Sequence, residues 1–186
     1  RVFIGRRQAT VSTSDLSTPT RARLIERAVA MARLAPEDPY ATLAPEERLA
    51  RAPFPELDLY DDAFPEPTAL EAAARDCEAA ALGVEGVARS EGGHASASRS
   101  AWRLVTSHGF DGQYRGTAFS LGAGVIAEKD GAMERGGEHR TLRHLSDMPS
   151  PESLGLEAGR RAVARAGARK IASQTLPVIF EHRVAT

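Results

Sequence analysis

The sequence predicts an α+β fold, an antiparallel sheet with helices packed on one face, arranged as two small units joined by a Pro-rich connection. Three observations predict it. Residues 117–127 alternate between two faces: Thr117, Phe119, Leu121, Ala123, Val125 and Ala127 on one, Ala118, Ser120, Gly122 and Gly124 on the other. That period of two is the mark of a strand with one packed face and one smooth face. Amphipathic helical stretches flank it at 68–82 and from Ser150 onward. Before both lies a stretch rich in proline, with Pro36, Pro39, Pro45, Pro53, Pro55, Pro65 and Pro67 between residues 35 and 67. A loop of that length is unusual inside one compact unit and predicts a boundary.

In chain order, residues 2–4 and 8–12 read as short strands joined at Gly5-Arg6-Arg7. A helix follows, with Thr18 as its N-cap candidate and Pro19 suited to the first turn. Leu24, Ala28 and Met31 form its expected apolar stripe, with Ile25, Val29 and Ala32 beside it. Pro36 and Pro39 stop it, and a short helical turn is expected at 45–52. The second helix should bury Leu70, Ala73, Ala74, Cys77, Ala80 and Ala81, with Gly83 as its C-terminal cap. Residues 84–97 read as a strand with a bulge at Gly92-Gly93, and 98–106 as the first arm of the central hairpin. His108-Gly109 and Asp111-Gly112 supply the turn chemistry. A further strand over 131–140 is expected to be interrupted at Gly136-Gly137. A third helix is capped by Ser150, with Pro151 first and Glu152 in its first turn, and Val178-Ile179-Phe180 reads as a closing strand.

Composition excludes several function classes. Net charge is −1, and the basic residues are scattered, so a nucleic-acid or acidic-membrane partner has no electrostatic footprint. No apolar run approaches the roughly 18 residues of a spanning helix. Cys77 is the one cysteine, which rules out a disulfide within the chain and fits a reducing compartment. On an apolar helix face it reads as a small buried residue rather than a nucleophile.

The search for chemistry finds no self-sufficient active site. In Glu138-His139-Arg140-Thr141-Leu142-Arg143-His144 the histidines stand five apart and the glutamate precedes the first. A zinc peptidase helix needs them four apart with the glutamate between, so no metal ligand is expected. Asp58, Asp61 and Asp62 cluster near Tyr60 and read as a solvated loop. Ser107 and His108 are adjacent, which does not make a catalytic pair unless they face each other; the turn is the simpler reading. Gly122-x-Gly124 lies within a strand and is no phosphate loop; it marks close approach of another backbone, either a bulge or a bound peptide. No catalytic residue is predicted. The substrate-binding candidates are His108, Arg115, Gly122 and Gly124.

Four phrases of the sequence resemble one family. They are Arg1-Val2-Phe3-Ile4-Gly5-Arg6-Arg7-Gln8-Ala9-Thr10-Val11-Ser12-Thr13-Ser14-Asp15-Leu16; Ala28-Val29-Ala30-Met31-Ala32-Arg33-Leu34-Ala35-Pro36-Glu37-Asp38-Pro39-Tyr40; Thr106-Ser107-His108-Gly109-Phe110 with Tyr114-Arg115-Gly116-Thr117; and Leu176-Pro177-Val178-Ile179-Phe180 with Arg183-Val184-Ala185. Together they resemble the TldD/PmbA metallopeptidases, in the PmbA (TldE) form. His108 departs from the pattern, which has Asn before the glycine; both residues tolerate a left-handed turn. The resemblance implies residues 1–35 as the end of an N-terminal α/β segment, 36–67 as the linker, 68–170 as the central domain, and 171–186 as the start of a C-terminal β-rich domain, the whole being an internal piece of a longer protein. It implies a cytoplasmic heterodimer that cleaves unfolded or short peptides, in peptide-antibiotic maturation and antitoxin degradation. Zinc is expected on a TldD-like partner, through a His-Glu-x-x-x-His run, and none on this chain. The alternative from a different class is a non-catalytic peptide-binding or scaffold module.

Overall fold

A computed structural model describes residues 1–180, which divide into two units. Unit 1 comprises residues 1–57 and 102–114; unit 2 comprises 58–101 and the chain from Arg115 onward. The Pro-rich stretch up to Leu57 thus belongs to unit 1, together with the far end of the central hairpin.

In unit 1, β1 (Val2–Ile4) pairs antiparallel with β2 (Arg7–Ala9), Phe3 lying opposite Gln8, around a turn in which Gly5 takes φ +59°. Helix α1 (Thr18–Leu34) begins one residue earlier than a Thr18 cap would allow. Ser17 is the N-cap, and Asp15 fastens the entry instead, its carboxylate accepting from the Ser17 amide and the Thr20 hydroxyl. Those bonds, the Thr20 hydroxyl foremost, lower the Asp15 pKa. The expected apolar stripe is corrected. Ala28 and Ala32 are buried, whereas Ile25 and Met31 are exposed. Spacing alone leaves the stripe free to rotate, and the small residues won because they let the β1–β2 hairpin lie close. A 3-10 turn forms at Glu46–Arg48.

In unit 2, α2 (Pro67–Leu82) precedes β3 (Val87–Val105), β4 (Asp111–Lys129) and β5 (Ala132–Leu142), which form one sheet in the order β3-β4-β5; α3 (Pro151–Arg165) follows. The two segments read separately before the hairpin are one continuous strand, β3. Gly92 takes φ +116° within it, so the bulge geometry is absorbed without ending the strand. All six residues assigned to the packed face of β4 are buried. Leu121, Ala123, Val125 and Ala127 form the core with Cys77 and Ala81 of α2 and Leu154, Ala158 and Ala162 of α3. Both helices therefore sit on one face of the sheet.

Glycine decides how closely they sit. A Cβ on Gly155 would lie 2.1 Å from the Cys77 carbonyl oxygen, and one on Gly136 would lie 2.4 Å from the Ala162 backbone. Gly136 thus clears space for α3 rather than interrupting β5, which runs unbroken opposite β4 from Lys129↔Ala132 to Phe119↔Leu142. Gly83 caps α2 as expected, its amide donating to the Ala79 carbonyl. It closes α2 in the right-handed region at φ −70°, and the left-handed turn falls later, at Gly86. Ser150 caps α3 as expected, accepting from the Ser153 amide. The expected strand at Val178-Ile179-Phe180 does not form among the described residues, where 168–180 carry neither helix nor strand and these three side chains are exposed. Residues 181–186 lie outside the described residues.

Candidate functional site

The four substrate-binding candidates fall in different units. His108 stands in the turn between β3 and β4, in unit 1. Thr106 donates its amide to the Phe110 carbonyl, and Gly109 takes φ +87° to close the turn. The His108 ring places Nδ1 3.1 Å from the Ala44 carbonyl oxygen, which ties the turn to the Pro-rich stretch within the same unit. Ser107 makes no hydrogen bond to His108 among the described residues, so they form no nucleophile–base pair. Both line an open cleft of about 1000 Å³, with Phe3, Leu43, Leu49, Leu104 and Phe110 as its apolar walls.

Arg115, Gly122 and Gly124 lie on β4 in unit 2. The Arg115 guanidinium sits 4.1 Å from the centre of the Tyr60 ring, within cation–π range. Arg99 sits 4.3 Å from the Phe64 ring and donates to the Asp62 carbonyl. Gly122 faces His139 across the β4–β5 ladder, and a Cβ there would lie 2.5 Å from the Glu138 carbonyl oxygen. The backbone that approaches Gly122 is therefore β5's own. Gly124 has only the Glu91 side chain near its missing Cβ, at 3.6 Å. With Ala118 and Ser120 these glycines line the face of β4 opposite the helices. β4 is the middle strand, so its backbone offers no open edge over 119–129, and the sheet presents this smooth face and the outer edges of β3 and β5.

The 138–144 run separates its chemistry. Glu138 is buried on the helix side, where it pairs with Arg140 and, at 2.8 Å, with Arg161 of α3. His139 points to the other face. His144 has left the strand, and its Nε2 lies 3.2 Å from both the carbonyl and the carboxylate of Asp58. These residues do not converge, and among the described residues no group of three His, Cys, Asp or Glu side chains is arranged to hold a metal ion. Among the described residues the donors do not converge on a zinc site.

In the acidic cluster near Tyr60, Asp58 and Asp62 are exposed as a solvated loop predicts, whereas Asp61 is structural, which sequence reasoning missed. Asp61 accepts from the amides of Leu145, at 2.7 Å, and Ala63, at 2.8 Å. Those two bonds, Leu145 first, lower its pKa. Its own amide donates to the buried Thr117 hydroxyl, which donates in turn to the Arg143 carbonyl at 2.6 Å. Leu59 accepts from the Thr117 amide just past the last β4–β5 pair, taking over where β5 departs. The one local signal for this was Asp61 two residues before Ala63, the spacing of an Asx turn. Cys77 is fully buried, and burial, then Glu152, pushes its thiol pKa up, so it carries no nucleophile.

A family model described as the PmbA/TldA metallopeptidase central domain matches residues 60–166. The chain belongs to the PmbA/TldD metallopeptidase family. It is 36% identical over all 186 residues to the metalloprotease PmbA of Escherichia coli O157:H7, covering 41% of that protein. The chain thus spans about two fifths of the length of the curated relatives it matches in full. A crystal structure from Bacteroides thetaiotaomicron, described as a modulator of DNA gyrase, matches with a TM-score of 0.79 at 22% identity, over 91% of this chain and 39% of that one. TldE from Thermococcus kodakarensis matches with a TM-score of 0.53 at 20% identity, over 80% of this chain and 33% of that one. At these identities the structures speak for the fold. The central-domain match bears chiefly on unit 2, while the curated relatives match both units. No helix among the described residues is long and apolar enough to cross a membrane.

Proposed function

We propose that this chain is part of the metal-free, PmbA (TldE) type subunit of a two-subunit metallopeptidase. In this reading its sheet forms one wall of a chamber that takes unfolded or short peptides, and a TldD-like partner holds the zinc. The observation that carries the reading is the face of β4 opposite the helices. Ala118, Ser120, Gly122 and Gly124 present little side chain there, so an extended backbone can approach beside the Glu91–Arg135 pair that crosses this face near Gly124. The scattered ligand set of the 138–144 run supports placing the metal elsewhere. This chain's residues would then shape and exclude rather than react. The peptide substrates would be precursors and short-lived proteins of the cytoplasm, such as peptide antibiotics and antitoxins.

The test mixes the full-length protein with its TldD-like counterpart and assays cleavage of an unstructured peptide. Cleavage is expected only from the mixture and is lost on chelation. Chelator-sensitive cleavage by this protein alone would overturn the assignment. Peptide binding without any partner, and without any gain in cleavage when the partner is added, would favour the scaffold reading.

A further inference from the structure

The connecting segment enters unit 2 at a cluster of ionisable groups that the peptidase reading leaves unused. Asp58 holds φ +48°, a left-handed conformation that a non-glycine residue keeps only when its surroundings fix it. What fixes it is His144, whose Nε2 lies 3.2 Å from both the Asp58 carbonyl and the Asp58 carboxylate. Three residues on, Asp61 takes the Leu145 and Ala63 amides, and Leu59 and Asp61 both bond to Thr117. Segments 58–61 and 143–145 thus close over the end of β4 with Thr117 buried between them.

We infer that the Asp58–His144 contact is a proton-dependent clasp fastening the connecting segment to the departing end of β5. The charged groups facing His144 are Asp58 and Asp61 from the connecting segment and Asp147 from the 3-10 turn (Leu145–Asp147). The cations of these segments are Arg99 on β3, which donates to the Asp62 carbonyl, and Arg143, which donates to the Thr117 carbonyl. The Asp58 carbonyl raises the His144 pKa above its ordinary 6.5, and the three carboxylates add to it. A raised histidine pKa stabilises the folded contact below the unfolded value and loses that contribution as pH rises through the folded value. Below about pH 6.5 the imidazolium makes a charge-assisted bond to Asp58. Above the raised value the neutral Nε2–H tautomer keeps the hydrogen bond and loses the charge, so the clasp loosens without vanishing.

Hydrogen exchange of the full-length protein, followed by mass spectrometry between about pH 6 and about pH 8.5 and corrected for intrinsic rates, tests this. Protection of the Thr117 and Leu145 amides should fall several-fold across that range, while that of the core residues 121–127 stays constant. His144→Gln keeps an N–H donor and has no proton to lose, so its protection should be low and flat with pH. Asp58→Asn, which tolerates the left-handed backbone, should show a reduced slope. A flat wild-type profile, or an unchanged slope in H144Q, would overturn the clasp. Neither outcome touches the peptidase reading, which is judged by cleavage.

Discussion

The two units bury different things. Among the described residues, the buried side chains of unit 1 are the alanines Ala9, Ala28, Ala32 and Ala41. Unit 2 adds Phe119, Leu121, Val125 and Leu154 to its alanines. Large apolar side chains of unit 1 are half-buried, as Phe3 and Leu24 are, or stand in solvent, with Ile25 and Trp102 each 62% exposed and Leu34 89%. A buried methylene contributes about 0.8 kcal/mol, so an alanine core contributes little. Unit 1 is held by polar ties, among them Arg7 donating to the Arg33 carbonyl and pairing with Glu37, and the Asp38 amide donating to Arg6. Unit 2 is held by packing. The difference teaches that unit 2 has a packed apolar core of its own, while unit 1 exposes apolar surface that its own residues do not cover.

The largest effect should break the packed unit. Phe119→Ala removes a ring that is 1% exposed and packs beside Phe64, and should cost about 3–5 kcal/mol in urea unfolding. Gly155→Ala drives a methyl against the Cys77 carbonyl and should cost about 1–3 kcal/mol, read as a lowered Tm. Thr117→Val keeps the shape and deletes the hydroxyl that serves both Asp61 and Arg143. The unpaired buried groups should cost about 1–3 kcal/mol by the same measurement. Acid should weaken the same junction more gently. The lowered Asp61 pKa contributes stability above its unfolded value near 3.8 that is lost as pH falls through the folded value, and Asp61→Asn should flatten that part of an acid titration. The smallest effect belongs to unit 1, where Ile25→Ala should change stability by less than about 0.5 kcal/mol. An Ile25→Ala cost as large as that of Phe119→Ala would erase the contrast between the units.

Much of the fold was legible. The β4 alternation named every buried residue of its packed face, because a period of two admits one assignment once one face is apolar. The caps at Ser150 and Pro151 were equally local. The α1 stripe was not, since a helix with apolar residues on neighbouring faces rotates to suit what it packs against. The candidate site was legible in part. The smooth run at Gly122 and Gly124 could be read, but whose backbone approaches it could not, because register decides that. The Asp58–Asp62 cluster read as solvated loop because its partners, Leu145, Arg143, His144 and Thr117, are remote in sequence.

The sequence by itself determined the three long helices, the central hairpin, the family and the apolar face of the sheet, all of which rest on spacing and on residue types close in the chain. Only the tertiary structure decided that Gly136 and Gly155 are clearances for helices, that Glu138 reaches Arg161, and that Asp61 staples distant backbone. Each of those depends on which distant group arrives within hydrogen-bond or van der Waals reach, and chain-local pattern carries no information about that.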